Sequence, residues 1–140
     1  MKKGFFLIFL ICATHCLFAQ RNPGDSTREF LLIVRYKSGM KVPDADMLKS
    51  NTQHWGVFIG ELARSGKLVT GLRPAADGRT ISGSARTLNN AAYSKNGEEV
   101  SSIFVIKAAN MDEASSIAQK CPIYEMDGSV EIRSITNTTN

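Results

Sequence analysis

The sequence predicts an α+β domain in which two helices cover one face of an antiparallel sheet. Three observations carry this. Short apolar runs alternate with two stretches of helical spacing, in the order strand, helix, strand, hairpin, strand, helix, strand. The chain has 140 residues, enough for one such domain and not two. Its 43% hydrophobic and 21% charged content is that of an ordinary globular protein.

The first stretch, "MKKGFFLIFLICATHCLFAQ", places two lysines before an apolar run and ends in Leu17-Phe18-Ala19. That is the layout of a secretory signal peptide over residues 1–19, cut after Ala19. The run is too short for a good spanning helix, so no transmembrane segment is expected in the mature chain. The expected location is secreted or periplasmic, the alternative being a lipoprotein anchored at Cys16. Loss of Lys2 and Lys3 leaves 15 basic against 13 acidic side chains, a formal charge of +2. The basic residues are interleaved with acids, so no nucleic-acid footprint is expected. Cys12 and Cys16 leave with the signal, and Cys121 then has no intramolecular partner. "QRNPGDSTR", residues 20–28, reads as a disordered leader.

"EFLLIVRYK" (29–37) is a strand with Phe30, Leu32 and Val34 on one face and Leu31 and Ile33 on the other. A strand half-exposed to water would alternate polar and apolar; this one calls for cover on both sides. "VPDAD" opens a helix with Asp44 as cap. Up to Arg64, Met47, Leu48, Asn51, Trp55, Phe58, Ile59 and Leu62 lie within an arc of about 120°. Gly66 closes the helix, and "KLVTGLR" (67–73) is the second strand. "GRTISGSARTL" predicts a hairpin turning at Gly83-Ser84, followed by a loop through "NNAAYSKNGEE". "SIFVIKA" (102–108) repeats the doubly apolar strand. "NMDEASSIAQKC" (110–121) is a short helix in which Asn110 caps and Glu113 bonds back to the cap, with Cys121 on its apolar face. "GSVEIRSI" (128–135) alternates as a final strand, and residues 136–140 form a frayed tail.

This order is ferredoxin-like, a split βαβ arrangement with a hairpin insertion. One helix layer cannot cover strands that are apolar on both faces. A second copy packed sheet to sheet can, which predicts a homodimer forming an α/β barrel. "FVIKAANMDEASSIAQKCPIYEMDGSVEIRSI" resembles the C-terminal signature of the YCII-related family, also called the DGPF-domain family. "WGVFIGELARSGKLVTG" and "GRTISG" resemble its first helix, second strand and hairpin, so the resemblance spans residues 29–135. It implies a ferredoxin-like dimeric barrel with a mostly unassigned function. Some members resemble enzymes using a His–Asp pair, and some genes lie beside those of alternative sigma factors. The chain departs from the pattern at Asn90-Ala91-Ala92-Tyr93, where the family shows Asp-Gly-Pro-Phe, and at Ser101-Ser102, where it shows paired glycines.

Among candidate residues, His54 is the only histidine after the signal and sits at the edge of the helical stripe, placed to act as a general base. With Asn90 in the family's acid position its dyad lacks a carboxylate, for which Asp44 or Asp46 are stand-ins. Arg35 interrupts an apolar strand and needs an acid or an anionic ligand, with Glu131 as the expected partner. Trp55 lies mid-stripe, suited to the core but with an indole N–H that seeks a partner. Arg35, Trp55, Arg73, Tyr93 and Glu131 make up the candidate ligand pocket. Cys121 reads as a small buried hydrophobe, with only Lys120 beside it to favour a thiolate. No metal-ligand spacing, phosphate loop or nucleophile elbow occurs, so neither metal nor cofactor is expected. The function expected is a dimeric small-molecule-binding or accessory protein, the alternative a lyase or hydrolase using His54 with a carboxylate.

Overall fold

The computed structural model describes residues 27–39 and 43–136. The predicted signal peptide, nearly all of the leader and most of the tail lie outside the described residues. β1 (Arg28–Lys37) is followed by α1 (Ala45–Arg64), β2 (Leu68–Leu72), a small hairpin of β3 (Thr80–Ser82) and β4 (Thr87–Asn89), β5 (Glu98–Ala108), α2 (Met111–Ala118) and β6 (Ser129–Ser134). The main sheet has four strands in the order β2-β5-β1-β6, every pairing antiparallel, which is the ferredoxin-like arrangement.

Alternation along β1 sorts its side chains as the sequence predicts. Phe30, Leu32 and Val34 are buried beneath the helices, together with Phe104, Ile106 and Ala108 of β5. Phe58 and Leu62 of α1 and Ala114, Ile117 and Ala118 of α2 close this core from above. Trp55 stacks on Phe104 with ring centroids 6.0 Å apart, and Phe58 meets both rings edge-on. Gly71 lies under Phe104: a Cβ there would come within 2.9 Å of the ring. Met47, Leu48 and Ile59 share the predicted arc but are exposed. The stripe that reaches the core is narrower than the sequence pattern, and Asn51, the polar member, is among its buried residues.

Both helix starts form as their capping residues dictate. The Asp44 side chain accepts from Met47 N at 2.8 Å, and Asn110 accepts from Glu113 N at 2.9 Å. Glu113 returns one residue earlier than expected, to the N–H of Ala109, and also accepts from Lys67. The predicted helix over 110–121 is corrected at its end: α2 stops at Ala118. Cys121 precedes proline and is extended, with ψ 127°, so the helix has to unwind before it. Cys121 instead leads into a 3-10 turn over Pro122–Met126, which the sequence reading missed. That turn ends on Asp127, at φ 52°, and on Gly128, whose missing Cβ would fall 2.4 Å from both the Arg35 carbonyl oxygen and the Ile123 side chain. "DG" before the last strand is therefore a demand of close packing.

Candidate functional site

Apart from the Lys37–Asp127 and Lys67–Glu113 ion pairs, the candidate bonded polar side chains lie in three clusters among the described residues. On the helix layer, His54 and Asn51 stand one turn apart on α1 and both reach Glu125 of the 3-10 turn. His54 Nδ1 lies 2.7 Å from Glu125 Oε1, while Asn51 Nδ2 donates to Glu125 Oε2 at 2.9 Å and to the Pro122 carbonyl at 2.9 Å. Each carboxylate oxygen thus has its own partner. Asn51 foremost, and then His54, hold Glu125 below the usual carboxylate range. With Nδ1 turned to an acceptor, the tautomer this partner selects leaves Nε2 free to take a proton. The pair is half-exposed. The stand-ins Asp44 and Asp46 do not supply the carboxylate; Glu125 does, from 71 residues away in sequence.

The second cluster lies on the opposite, uncovered face of the sheet. Arg35 Nη2 is 2.7 Å from Glu131 Oε2, and Glu131 Oε1 accepts from Arg133, two residues along the same strand. Arg133 first, and Arg35 second, keep the Glu131 carboxyl below its ordinary range. Two cations against one acid leave this cluster one positive charge in excess. Around it the face is apolar: Leu31 and Ile33 of β1, Ile103 and Val105 of β5, and Leu72 of β2.

The third group stands at the end of the sheet. Tyr36 and Glu99 are directly paired across β1 and β5, and the Tyr36 hydroxyl donates to Glu99 Oε2 at 2.9 Å. That bond, with some burial, raises the Tyr36 phenol, while the nearby Arg73 charge pulls it the other way.

Of the residues singled out from sequence, Arg35 and Glu131 come together. Trp55 is on the far side of the sheet, packed in the core. Arg73 is near Tyr36, and Tyr93 stands exposed between β4 and β5. His54 and Arg35 share no cavity within one copy. Asn51, Glu125, Tyr36 and Glu99 were missed. Only Asn51 carried a signal, as an amide in an apolar stripe that must find partners when buried.

Cys121 is 3% exposed, and burial pushes its thiol up to about 11, which removes it as a nucleophile. No group of His, Cys, Asp and Glu among the described residues could hold a metal ion. No described helix is long and apolar enough to cross a membrane.

A family model for the YCII-related domain matches residues 29–139. The chain belongs to this family. Among solved structures it is similar to the 5-chloro-2-hydroxyhydroquinone dehydrochlorinase of Burkholderia phenoliruptrix in complex with 2,5-dihydroxybenzoquinone. The two are 13% identical with a TM-score of 0.40, covering 76% of this chain and 94% of that one. Curated proteins give no match.

Proposed function

We propose that this YCII-related protein is an exported homodimer that binds a small molecule and acts as a binding or accessory protein. One observation carries the reading: the uncovered sheet face holds an apolar centre beside the Arg35–Glu131–Arg133 cluster and its surplus positive charge. A second copy laid on that face removes Leu31, Ile33, Ile103 and Val105 from water. It also brings two such clusters into one low-dielectric space, suited to a small ligand with an anionic group.

Three measurements test this. Sedimentation at micromolar concentration is expected to give twice the chain mass; a single-copy mass defeats the dimer. A thermal-shift screen of small carboxylates is expected to raise the midpoint, because a ligand of the native state stabilises it. Arg35→Ala should abolish that rise, and a rise that survives Arg35→Ala puts the ligand elsewhere. The amino-terminal stretch supports export. Sequencing the mature amino terminus should find Gln20, and an acylated Cys16 would replace a free protein with an anchored one.

A second reading has its own observation. His54, oriented by Glu125 with Nε2 free, is a general base without an assigned substrate. In this reading the protein is a lyase or hydrolase. Any turnover found should fall steeply in His54→Ala and partly in Glu125→Gln; turnover unchanged in both removes the dyad from the chemistry.

A further inference from the structure

The segment between β2 and β5 is ordered and apolar in part, and its hairpin packs on no other strand or helix among the described residues. β3 and β4 pair Thr80 with Asn89, Ile81 with Leu88 and Ser82 with Thr87. The turn between them places Gly83 and Arg86 at positive φ. Thr80 Oγ1 donates to the Ala91 carbonyl at 2.9 Å, and Gly78 is pressed against Ala92. At the root, Ser38 donates to the Gly97 carbonyl through both its N–H and its hydroxyl. The arm is therefore fixed at its base and bonded internally. Yet Ile81 is 67% exposed, Leu88 53% and Tyr93 65%. Ile81 and Leu88 are directly opposite each other, so they form one apolar spot on one side of the hairpin. An isolated two-stranded hairpin is marginal in water at best. This one needs cover that the described residues of its own chain do not give.

The same chain has a second uncovered apolar surface, the open sheet face. The flat footprint of that face's central six rows is about half the accessible area a standard interface buries per partner. Four strands at about 4.8 Å spacing and six paired positions (Phe30–Arg35) at about 3.4 Å span roughly 400 Å². A stable interface buries about 800 Å² per partner. The arm emerges after Leu72 and returns at Glu98, at the end of the sheet where Arg35 stands.

We propose that the arm of each copy reaches across the dimer and lays Ile81, Leu88 and Tyr93 on the other copy. It closes the margin of the open face and brings Tyr93 towards the Arg35–Glu131 pair of the second chain. The inference rests on the dimer reading above and adds an exchange of arms to it. Under two-fold symmetry each arm gives what it receives, so both uncovered surfaces are satisfied at once. It also accounts for a ligand set, Arg35, Glu131 and Tyr93, that one copy does not assemble.

The test places the photoreactive p-benzoylphenylalanine at Leu88, on the full chain, in a mixture of isotopically heavy and light protein. Irradiation is expected to give covalent dimers whose linked peptides pair a heavy arm with light β1 or β5 residues. Links only within one copy, or no links in a protein that sediments as a dimer, overturn the exchange and leave the dimer standing. A single-copy mass before irradiation overturns the dimer reading, and the exchange with it. In parallel, Ile81→Ser with Leu88→Ser, remote from the core, should weaken dimerisation by at least tenfold. An unchanged dimer affinity overturns the proposal.

Discussion

The two faces of the main sheet are built from the same strands and meet different fates. On one, Phe30, Leu32 and Val34 alternate inward and are sealed by α1 and α2. On the other, Leu31 and Ile33 alternate outward onto a surface that no described element covers. Residue type does not distinguish them; what lies opposite does. Burial is thus a property of the chain's connections as much as of its composition. A run such as "FLLIV" states that both sides want cover without saying which side the chain itself supplies.

Substitutions on adjacent residues sharpen this contrast. Leu32→Ala removes a fully buried side chain and should cost about 3 kcal/mol by denaturant unfolding, whatever the protein concentration. A loss below about 1 kcal/mol would mean that the covered face is loosely packed. The covered face also guards Cys121. Native protein should react with iodoacetamide about a hundredfold more slowly than denatured protein at the same pH. Because the folded thiol lies above the unfolded one, its contribution to stability is complete below about pH 8.5 and is lost as pH rises towards 11. Equal labelling rates in the two states would contradict the burial.

Ile33→Ala, one residue from Leu32, should cost a single copy less than about 1 kcal/mol, its further loss coming through a weakened dimer whose concentration-dependent midpoint falls. If it matches Leu32→Ala at every concentration, the open face is covered by something within the chain. The smallest effect belongs to Glu131. The two arginines hold its folded carboxyl below the unfolded one, so its contribution is full above the ordinary glutamate value of about 4.3 and is lost on acidification. Glu131→Gln should lower stability slightly and evenly above that value, flatten the acid limb of a stability–pH profile, and leave its most acidic points unchanged. A change at neutral pH beyond that seen in Arg133→Ala would give the cluster a role other than this pairing.

Much of the fold was legible because its signals are local. Asp44, Asn110 and Gly66 mark helix ends through bonds to residues three or four away. The strands announce themselves by length and apolar runs. What escaped was decided by distant contact. Glu125 and His54 meet across 71 residues, and no spacing rule joins a 3-10 turn to the middle of a helix. The exposed Met47, Leu48 and Ile59 obey the helical period, but the covered face is only wide enough for part of their arc. Ser101-Ser102, in place of the family's paired glycines, proves permissible for a backbone reason. The strand is irregular there, yet neither serine has positive φ, so no glycine is required.

That irregularity carries a larger consequence. β1 and β5 run in step until Val34 faces Ser102; then Arg35 faces Val100, and Ser101 is left over. One surplus residue reverses the parity of everything before it in β5. It turns Val100 outward and swings Glu99 to the inner side, where Tyr36 waits. Excising Ser101 would only make the ladder regular, with Val100 still facing Arg35 and Glu99 still facing Tyr36; pairing Ser101 into the ladder would send the acid out and the valine in. The Tyr36–Glu99 bond is therefore set by register, as a matter of counting, and could be lost without altering either residue.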